Sequence, residues 1–268
     1  MKNVQIFLQS EMTEPESVAV PGGQACVFSS RCPEKPTPNE DAALVLSVGS
    51  AGALLAVADG MGGEANGEVA SRLAVECLEA EVTTLEGTEG LVRTGIINGI
   101  ERANSAVQQT VSGAGTTLTV AEISGQTVRT YNIGDSVVLI VGGRGKIKRQ
   151  TLAHSPVGYG VESGLLDEGD AMHHDDRHVI SNFIGAADMR IDIGSPLALA
   201  RRDTVLLASD GLFDNLRVDE VTNIIRRGAL VPSVMKLAAA ARLRMQDSAA
   251  GAPSKPDDLT IVAYRRTE

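Results

Sequence analysis

The chain has 268 residues, 43 % of them hydrophobic, and a net charge of −10. Length and composition suit one large globular domain and exclude disordered, collagen-like and small disulfide-stabilised chains. The acidic balance repels a phosphate backbone, and no segment approaches the ~18 unbroken apolar residues of a membrane span, so neither nucleic acid nor membrane is an expected partner. The three cysteines lack the spacing of a metal site or a disulfide framework, and the apolar stretch at the N-terminus is too short for a signal peptide. Both observations predict a cytoplasmic protein.

Strands and turns are predicted for the first sixty residues. Residues 19–30 and 42–48 are β-branched or apolar, with Gly, Pro and Asn between them, which is typical of strands joined by turns. Residues 52–59 form a continuous apolar run, which predicts a strand buried on both faces. That strand ends at Asp59-Gly60.

Two amphipathic helices are predicted next, because apolar residues recur at helical spacing over residues 70–78 and 92–107. Short β-prone runs follow, and the brief connections between them make antiparallel neighbours. These runs are residues 116–123, 127–133, 137–141 and 146–152.

The second half of the chain begins with a glycine-rich segment over residues 155–184, which predicts a mixed helix and loop insert. Another buried strand is predicted at 204–208, helices follow through 221–225 and 234–245, and a strand is expected at 259–264. Strands in clusters and helices in pairs predict an α+β fold in which helices cover antiparallel sheets.

Aspartates stand at the ends of four predicted strands: Asp59 and Asp210 follow a strand, whereas Asp41 and Asp257 precede one. The end of one strand adjoins the start of its antiparallel neighbour, so we expect all four carboxylates along a single sheet edge. An Asp-Gly pair after a strand is also an ordinary turn signal, but here the pattern of apolar strand and Asp-Gly occurs twice.

Such a cluster needs a positive charge, because carboxylates ~4 Å apart repel by about 4 kcal/mol per pair at an effective dielectric near 20. Oxygen ligands without nearby Cys or His favour hard divalent ions such as Mg²⁺ or Mn²⁺. Two such ions can clamp a phosphoryl group during its transfer.

Six strings resemble, in family order, the motifs of the metal-dependent serine/threonine protein phosphatases of type 2C, in their bacterial form. They are Asn39-Glu40-Asp41, Val57-Ala58-Asp59-Gly60-Met61-Gly62-Gly63, Gly115-Thr116-Thr117, Asn132-Ile133-Gly134-Asp135-Ser136, Leu207-Ala208-Ser209-Asp210-Gly211-Leu212-Phe213-Asp214 and Asp257-Asp258-Leu259-Thr260. The resemblance implies a four-layer α-β-β-α sandwich of two central antiparallel sheets flanked by helix pairs. It also implies a single catalytic domain over residues 1–268, with a variable flap near 155–185.

The same resemblance implies two Mn²⁺ or Mg²⁺ ions. Asp59 would bridge both ions, and Asp210 and Asp257 would complete the shell of one. The Gly60 carbonyl would bind the second ion, and Asp41 would hold its water molecules.

A third, weaker ion is implied at Asp135 together with Asp210. Gly134-Asp135 between two β-prone runs is equally a two-residue hairpin turn, and both interpretations stay open. His174 and His178 are four residues apart, a spacing found in helical zinc sites, but no glutamate follows the first histidine, so a structural or surface role is favoured.

The activity implied by the resemblance is hydrolysis of phosphoserine and phosphothreonine in proteins by a metal-bridging hydroxide, with Asp41, Asp59 and Asp210 as catalytic residues. It would reverse the action of a Ser/Thr kinase, so a phosphorylated protein is the expected substrate and a cognate kinase an expected partner.

The sequence departs from the family at the phosphate-binding arginine, which is replaced by Pro36. Lys35 or Arg31 would be the substitute, although each is equally interpreted as a solvated surface charge. Asp258 also replaces the usual asparagine. The change at position 36 motivates a second hypothesis, a non-catalytic module on the same fold that binds a phosphoprotein or a kinase.

Overall fold

Two antiparallel sheets form the centre of the molecule in a computed structural model that describes residues 3–62, 66–84, 91–111, 113–247 and 252–267. The strands are β1 Val4–Leu8, β2 Glu16–Val20, β3 Gly23–Ser30, β4 Asp41–Val48, β5 Gly52–Met61, β6 Gly115–Thr116, β7 Leu118–Ser124, β8 Thr127–Ile133, β9 Val137–Val141, β10 Ile147–Gln150, β11 Asp192–Ile193, β12 Leu197–Ala198, β13 Thr204–Ala208 and β14 Leu259–Arg266. The helices are α1 Gly67–Thr84, α2 Val92–Thr110, α3 Pro156–Glu162, α4 Glu168–Ala171, α5 Asp210–Phe213, α6 Val218–Ile225 and α7 Leu230–Gln246, with a 3-10 turn at Asp175–His178.

The first sheet has the strand order β1-β4-β5-β7-β8-β11, with β6 beside β5 and β12 beside β8. The second has the order β10-β9-β13-β14-β3-β2. All the strand pairs assigned in the described residues are antiparallel, as the short connections predict.

Three apolar clusters separate four layers. Side chains alternate along β4, so that Leu44 packs towards α1 and α2 while Val45 packs between the two sheets. The second sheet does the same, with Val205 inward and Leu206 against α6 and α7. Both faces of each sheet are therefore covered, which explains why the central strands have uninterrupted apolar sequences. The predicted α-β-β-α sandwich is confirmed.

Most predicted elements coincide with observed ones, and β8, β9 and β13 have the predicted bounds. The insert at 155–184 consists of α3, α4 and the 3-10 turn, as expected of a mixed segment. Strand β1 was not predicted; it is a half-exposed edge strand paired with β4. Every helix in the described ranges is too short or too polar to cross a bilayer.

Candidate metal centre

The centre begins with two aspartates on neighbouring strands of the first sheet. Asp41 is the first residue of β4 and lies directly opposite Asp59 of β5 in the strand register. The buried Asp41 carboxylate accepts a hydrogen bond from the Ser209 hydroxyl at 2.9 Å. The backbone of Asp59 is held by Thr117, whose Oγ1 accepts from the Asp59 amide at 3.0 Å. Asp41 is thus held through Ser209 and Asp59 through Thr117.

The second sheet supplies the other two aspartates. Asp210 begins α5 directly after β13, and Asp257 lies two residues before β14, the neighbour of β13. The expectation of one sheet edge is therefore wrong: the four carboxylates belong to two sheets that face each other. The bond from Ser209 to Asp41 joins the two sheets at this end of the sandwich.

Two further aspartates belong to the same cluster. Asp135 lies in the turn between β8 and β9, and the pKa of its carboxyl is raised by burial and then by Asp210 and Asp214. Asp214 follows α5, four residues after Asp210. Asp135 thus lies beside Asp210, where the resemblance places a third ion, and it also occupies the predicted hairpin turn.

Burial and mutual repulsion raise the pKa values of the clustered carboxyls. The pKa of Asp59 is raised well above its ordinary value, chiefly by burial and then by the charges of Asp41 and Asp210. Burial and Asp210 raise the pKa of Asp257 to about 7, and burial and Asp210 raise that of Asp214 to about 6. The cluster favours protons or cations over bare ionised carboxylates.

A lysine that the sequence analysis missed lies inside this cluster. The ammonium of Lys255 is 2.5 Å from Asp210 Oδ2, 2.8 Å from Asp214 Oδ2 and 3.2 Å from Asp257 Oδ2. These carboxylates raise the pKa of Lys255 far above its ordinary value, although burial alone lowers it. Lys255 is therefore a fixed positive charge among three of the aspartates.

The donor chemistry fits hard divalent ions. Buried carboxylate oxygens of Asp41, Asp135 and Asp210 lack a hydrogen-bond partner, and oxygen donors of this kind are the ligands that Mg²⁺ and Mn²⁺ prefer. Within the described ranges, no three His, Cys, Asp or Glu side chains are already arranged to hold an ion. Lys255 lies among the carboxylates of Asp210, Asp214 and Asp257 and supplies a positive charge there.

Gly60 lies near the end of β5, where it packs against the start of α1 and leaves no room for a side chain. A Cβ at Gly60 would stand 2.2 Å from the Gly67 carbonyl oxygen and 2.6 Å from that of Glu40. This close approach holds the end of β5 against the helix, next to Asp59. The motif residue Gly63 lies outside the described residues.

The two candidate phosphate-binding residues have different surroundings. Lys35 donates to Glu40 at 2.6 Å and to the buried Asp258 at 2.7 Å. Asp258 also accepts from the backbone amides of Cys32 and Glu40, so the carboxylate that replaces asparagine anchors the chain leading into β4. Arg31 lies 3.5 Å from Glu11 in an exposed ion pair. Lys35 is thus tied to residues beside Asp41 and Asp257, whereas Arg31 pairs at the surface.

A cavity of about 510 Å³ adjoins Lys255 and is lined mainly by the 155–185 segment. Its walls include His173, His174 and Arg177, and Arg177 donates to the carbonyl of Ser254 at 3.2 Å. His174 and His178 belong to this wall and to a 3-10 turn, not to an α-helix. This wall of polar side chains, which also includes Asp175, was not predicted.

The sequence of this chain is similar to those of known protein phosphatases. Residues 30–246 match the family described as Protein phosphatase 2C. The protein phosphatase PhpP of Streptococcus pneumoniae is 32% identical over 179 residues, which cover 64% of this chain and 72% of the relative.

Solved structures with the same fold include the serine/threonine phosphatase PstP/Ppp of Mycobacterium tuberculosis, with 27% identity and a TM-score of 0.74 over 91% of this chain and 98% of that one. The catalytic domain of PstP in complex with two manganese ions has 26% identity and a TM-score of 0.71, and the match again covers 91% of this chain and 98% of that one.

Proposed function

The chain belongs to the protein phosphatase 2C family and is a serine/threonine protein phosphatase, and we propose that it hydrolyses phosphoserine and phosphothreonine in proteins by a reaction that depends on Mn²⁺ or Mg²⁺. The observation that carries this proposal is the convergence of Asp41, Asp59, Asp210 and Asp257 from two facing sheets. Carboxylates with raised pKa values and unsatisfied oxygens support a role as cation ligands.

Each residue of the cluster has a proposed role. Asp59 would contact two ions, Asp210 and Asp257 would complete the shell of one, and the Gly60 carbonyl and Asp41 would serve the other. When bound, the ions would activate water and neutralise the phosphoryl oxygens. Ser209 fixes Asp41 by donating to its Oδ2 at 2.9 Å, so that Oδ1 is left free for a ligand.

The substrate side of the site is proposed to be the cavity next to Lys255. Arg177 offers positive charge, and the neighbouring histidines offer ring nitrogens for hydrogen bonds, where an incoming phosphopeptide would approach. We therefore propose that residues 1–268 act as one catalytic unit in which the 155–185 segment is the substrate-selecting flap. Lys35 is already paired with the carboxylates of Glu40 and Asp258, which balance its positive charge and argue against a role in binding phosphate.

Partners and location follow from the proposed reaction. A phosphatase of this class would reverse the action of a Ser/Thr kinase, which is the expected partner beside the phosphoprotein substrate. Cys26, Cys32 and Cys77 are free thiols, which supports a reducing compartment and hence the cytoplasm.

Hydrolysis of a phosphothreonine peptide in millimolar Mn²⁺ tests the proposal. We expect turnover that EDTA abolishes and that falls by at least about a hundredfold in Asp59→Asn, because a ligand is lost while the core is intact. The control Asp188→Asn changes an exposed aspartate and should retain wild-type activity.

Failure of the wild-type protein to turn over any phosphopeptide or p-nitrophenyl phosphate with Mn²⁺ would contradict the proposal. If such a protein still bound the phosphopeptide, the alternative of a non-catalytic binding module would hold instead.

A further inference from the structure

A second cavity, of about 640 Å³, is lined by arginines. They come from three parts of the chain: the turn before β13, the end of α6 and the end of β14. The residues are Arg201, Arg202, Arg226, Arg227, Arg265 and Arg266, and we call this cavity the arginine pocket. It holds six of the 24 lysines and arginines in a protein whose net charge is −10. Positive side chains are therefore concentrated at this pocket, although the protein as a whole is negatively charged.

The positive charge of the arginine pocket is not balanced by carboxylates. Among the described residues, none of the six guanidiniums forms an ion pair. Arg265 donates instead to the Thr204 hydroxyl at 3.0 Å and to the carbonyl oxygens of Ile225 and Gly228. Burial lowers the pKa of its guanidinium, as expected for a desolvated cation without an anionic partner. Its packing fixes one wall of the pocket in place.

The nearest acidic side chain in sequence is already committed. Asp203 follows Arg202 directly, but its buried carboxylate pairs with Lys148 and accepts from the Ala200 amide at 2.7 Å. The turn thus sends its one carboxylate inwards and leaves Arg201 and Arg202 exposed. In the described part of the chain, no Asp or Glu is among the residues that line the pocket.

The turn before β13 has a left-handed residue. Arg202 has a φ of 70°, in the left-handed region that favours glycine. The Asp203 amide donates to the Ala200 carbonyl at 3.0 Å, so Arg202 is the third residue of a β-turn, a position that often takes a positive φ. This turn places Arg201 and Arg202 together at the pocket.

The arginine pocket is separate from the carboxylate cluster. Arg202 precedes β13 and Asp210 follows it, so eight residues of nearly extended chain, roughly 26 Å, separate the two. The other strand repeats this arrangement, because Asp257 precedes β14 and Arg265 lies near its end. A phosphate group in the arginine pocket would therefore not be the one that is hydrolysed.

We propose that the arginine pocket binds a small molecule that carries two or more phosphate groups, of the size of a nucleoside diphosphate. Guanidinium groups bind phosphate oxygens in bidentate pairs, and several guanidiniums around one concavity suit adjacent phosphates. The volume lies within the range of pockets for small ligands, which favours a compact phosphorylated molecule over an extended acidic segment.

Isothermal titration calorimetry on the EDTA-treated full chain tests this proposal, with ADP, inorganic pyrophosphate and a polyglutamate peptide as probes. Without metal, the carboxylate cluster repels anions, and the variants below decide whether the remaining binding belongs to the arginine pocket or to the cavity beside Lys255. We expect one phosphate-bearing ligand per chain, and comparing ADP with pyrophosphate shows whether the nucleoside contributes. The double variant Arg201→Gln/Arg227→Gln should weaken binding by about tenfold or more.

The matched control Arg72→Gln/Arg102→Gln removes two ion-paired arginines from α1 and α2 and changes the net charge equally. It should leave the affinity unchanged. Arg202→Gly relieves the left-handed backbone, so it should weaken binding while the unfolding temperature stays constant or rises.

Three results would overturn the proposal. One is no heat of binding with ADP or pyrophosphate at about 1 mM. Another is equal weakening in the two double variants, which would indicate a general charge effect. The third is tighter binding of polyglutamate than of either phosphate compound, which would assign the pocket to an acidic protein segment.

Discussion

Strands β13 and β14 carry opposite charges at their two ends. Asp210 and Asp257 stand at one end and Arg202 and Arg265 at the other, with buried apolar residues between them. At the acidic end Lys255 is bound among the carboxylates, whereas the guanidinium of Arg265 at the basic end has only carbonyl and hydroxyl acceptors. The apolar middle of these two strands thus separates a cluster of carboxylates from a cluster of arginines. Over the residues that the structure describes, only the carboxylate cluster contains a side chain of opposite charge, Lys255.

The largest expected effect concerns the acidic end. Asp210→Asn should lower Mn²⁺-dependent phosphatase activity by at least about a hundredfold, because it removes a proposed metal ligand. The unfolding temperature in EDTA should change little, since relief of repulsion among the carboxylates offsets the lost contact with Lys255. Activity assays and thermal unfolding of the same preparation check both statements.

A substitution at the basic end should lower the free energy of unfolding. Lys148→Gln leaves the Asp203 carboxylate buried without its cation, and we expect a loss of about 2 kcal/mol in the free energy of unfolding, since Lys148 is partly exposed. Chemical denaturation measures it. Phosphatase activity should remain at the wild-type level, because the pair lies at the far end of β13; a large loss of activity would show that the two ends are not independent.

A subtler change removes the internal counter-ion. Lys255→Gln should tighten Mn²⁺ binding by about tenfold, because the ammonium no longer competes with the metal for Asp210 and Asp257. Calorimetry with MnCl₂ measures this affinity directly. Lys236→Gln on the exposed face of α7 is the control and should leave the affinity unchanged. Weaker binding in Lys255→Gln would mean that the lysine supports the metal site.

The smallest expected effect is a pH dependence of the metal-free protein. Burial and Asp210 raise the pKa of Asp257 from 3.8 to about 7 in the folded state. A raised folded pKa stabilises the fold at low pH and loses that contribution as the pH rises from about 4 to about 7. The unfolding temperature in EDTA should therefore fall as the pH rises across this window. Asp257→Asn should reduce the slope, and an unchanged slope would contradict the raised pKa.

Prediction from sequence was most accurate where local pattern decides structure. Strands β8, β9 and β13 were found because buried apolar runs with clear turns leave one interpretation. Strand β1 was missed because it is a half-exposed edge strand and Gln5 interrupts its apolar run. The aspartates were found from their positions at strand ends, but their division between two sheets depends on packing that no local pattern encodes.

Lys255 and Asp214 were the functional residues that sequence reasoning missed. A lysine in a proline-containing loop has no periodic signal, and its contacts depend on how that loop lies over α5. Asp214 offered a usable signal: it stands four residues after Asp210, the spacing that brings side chains together on one helix face.

Anomalous scattering from crystals soaked in MnCl₂ tests the central claim most directly. Our account predicts manganese peaks between Asp59 of the first sheet and Asp210 of the second, with the Lys255 ammonium displaced from Asp210. Crystals that bind manganese elsewhere, or show no peak while Lys255 still contacts Asp210 and Asp257, would contradict it.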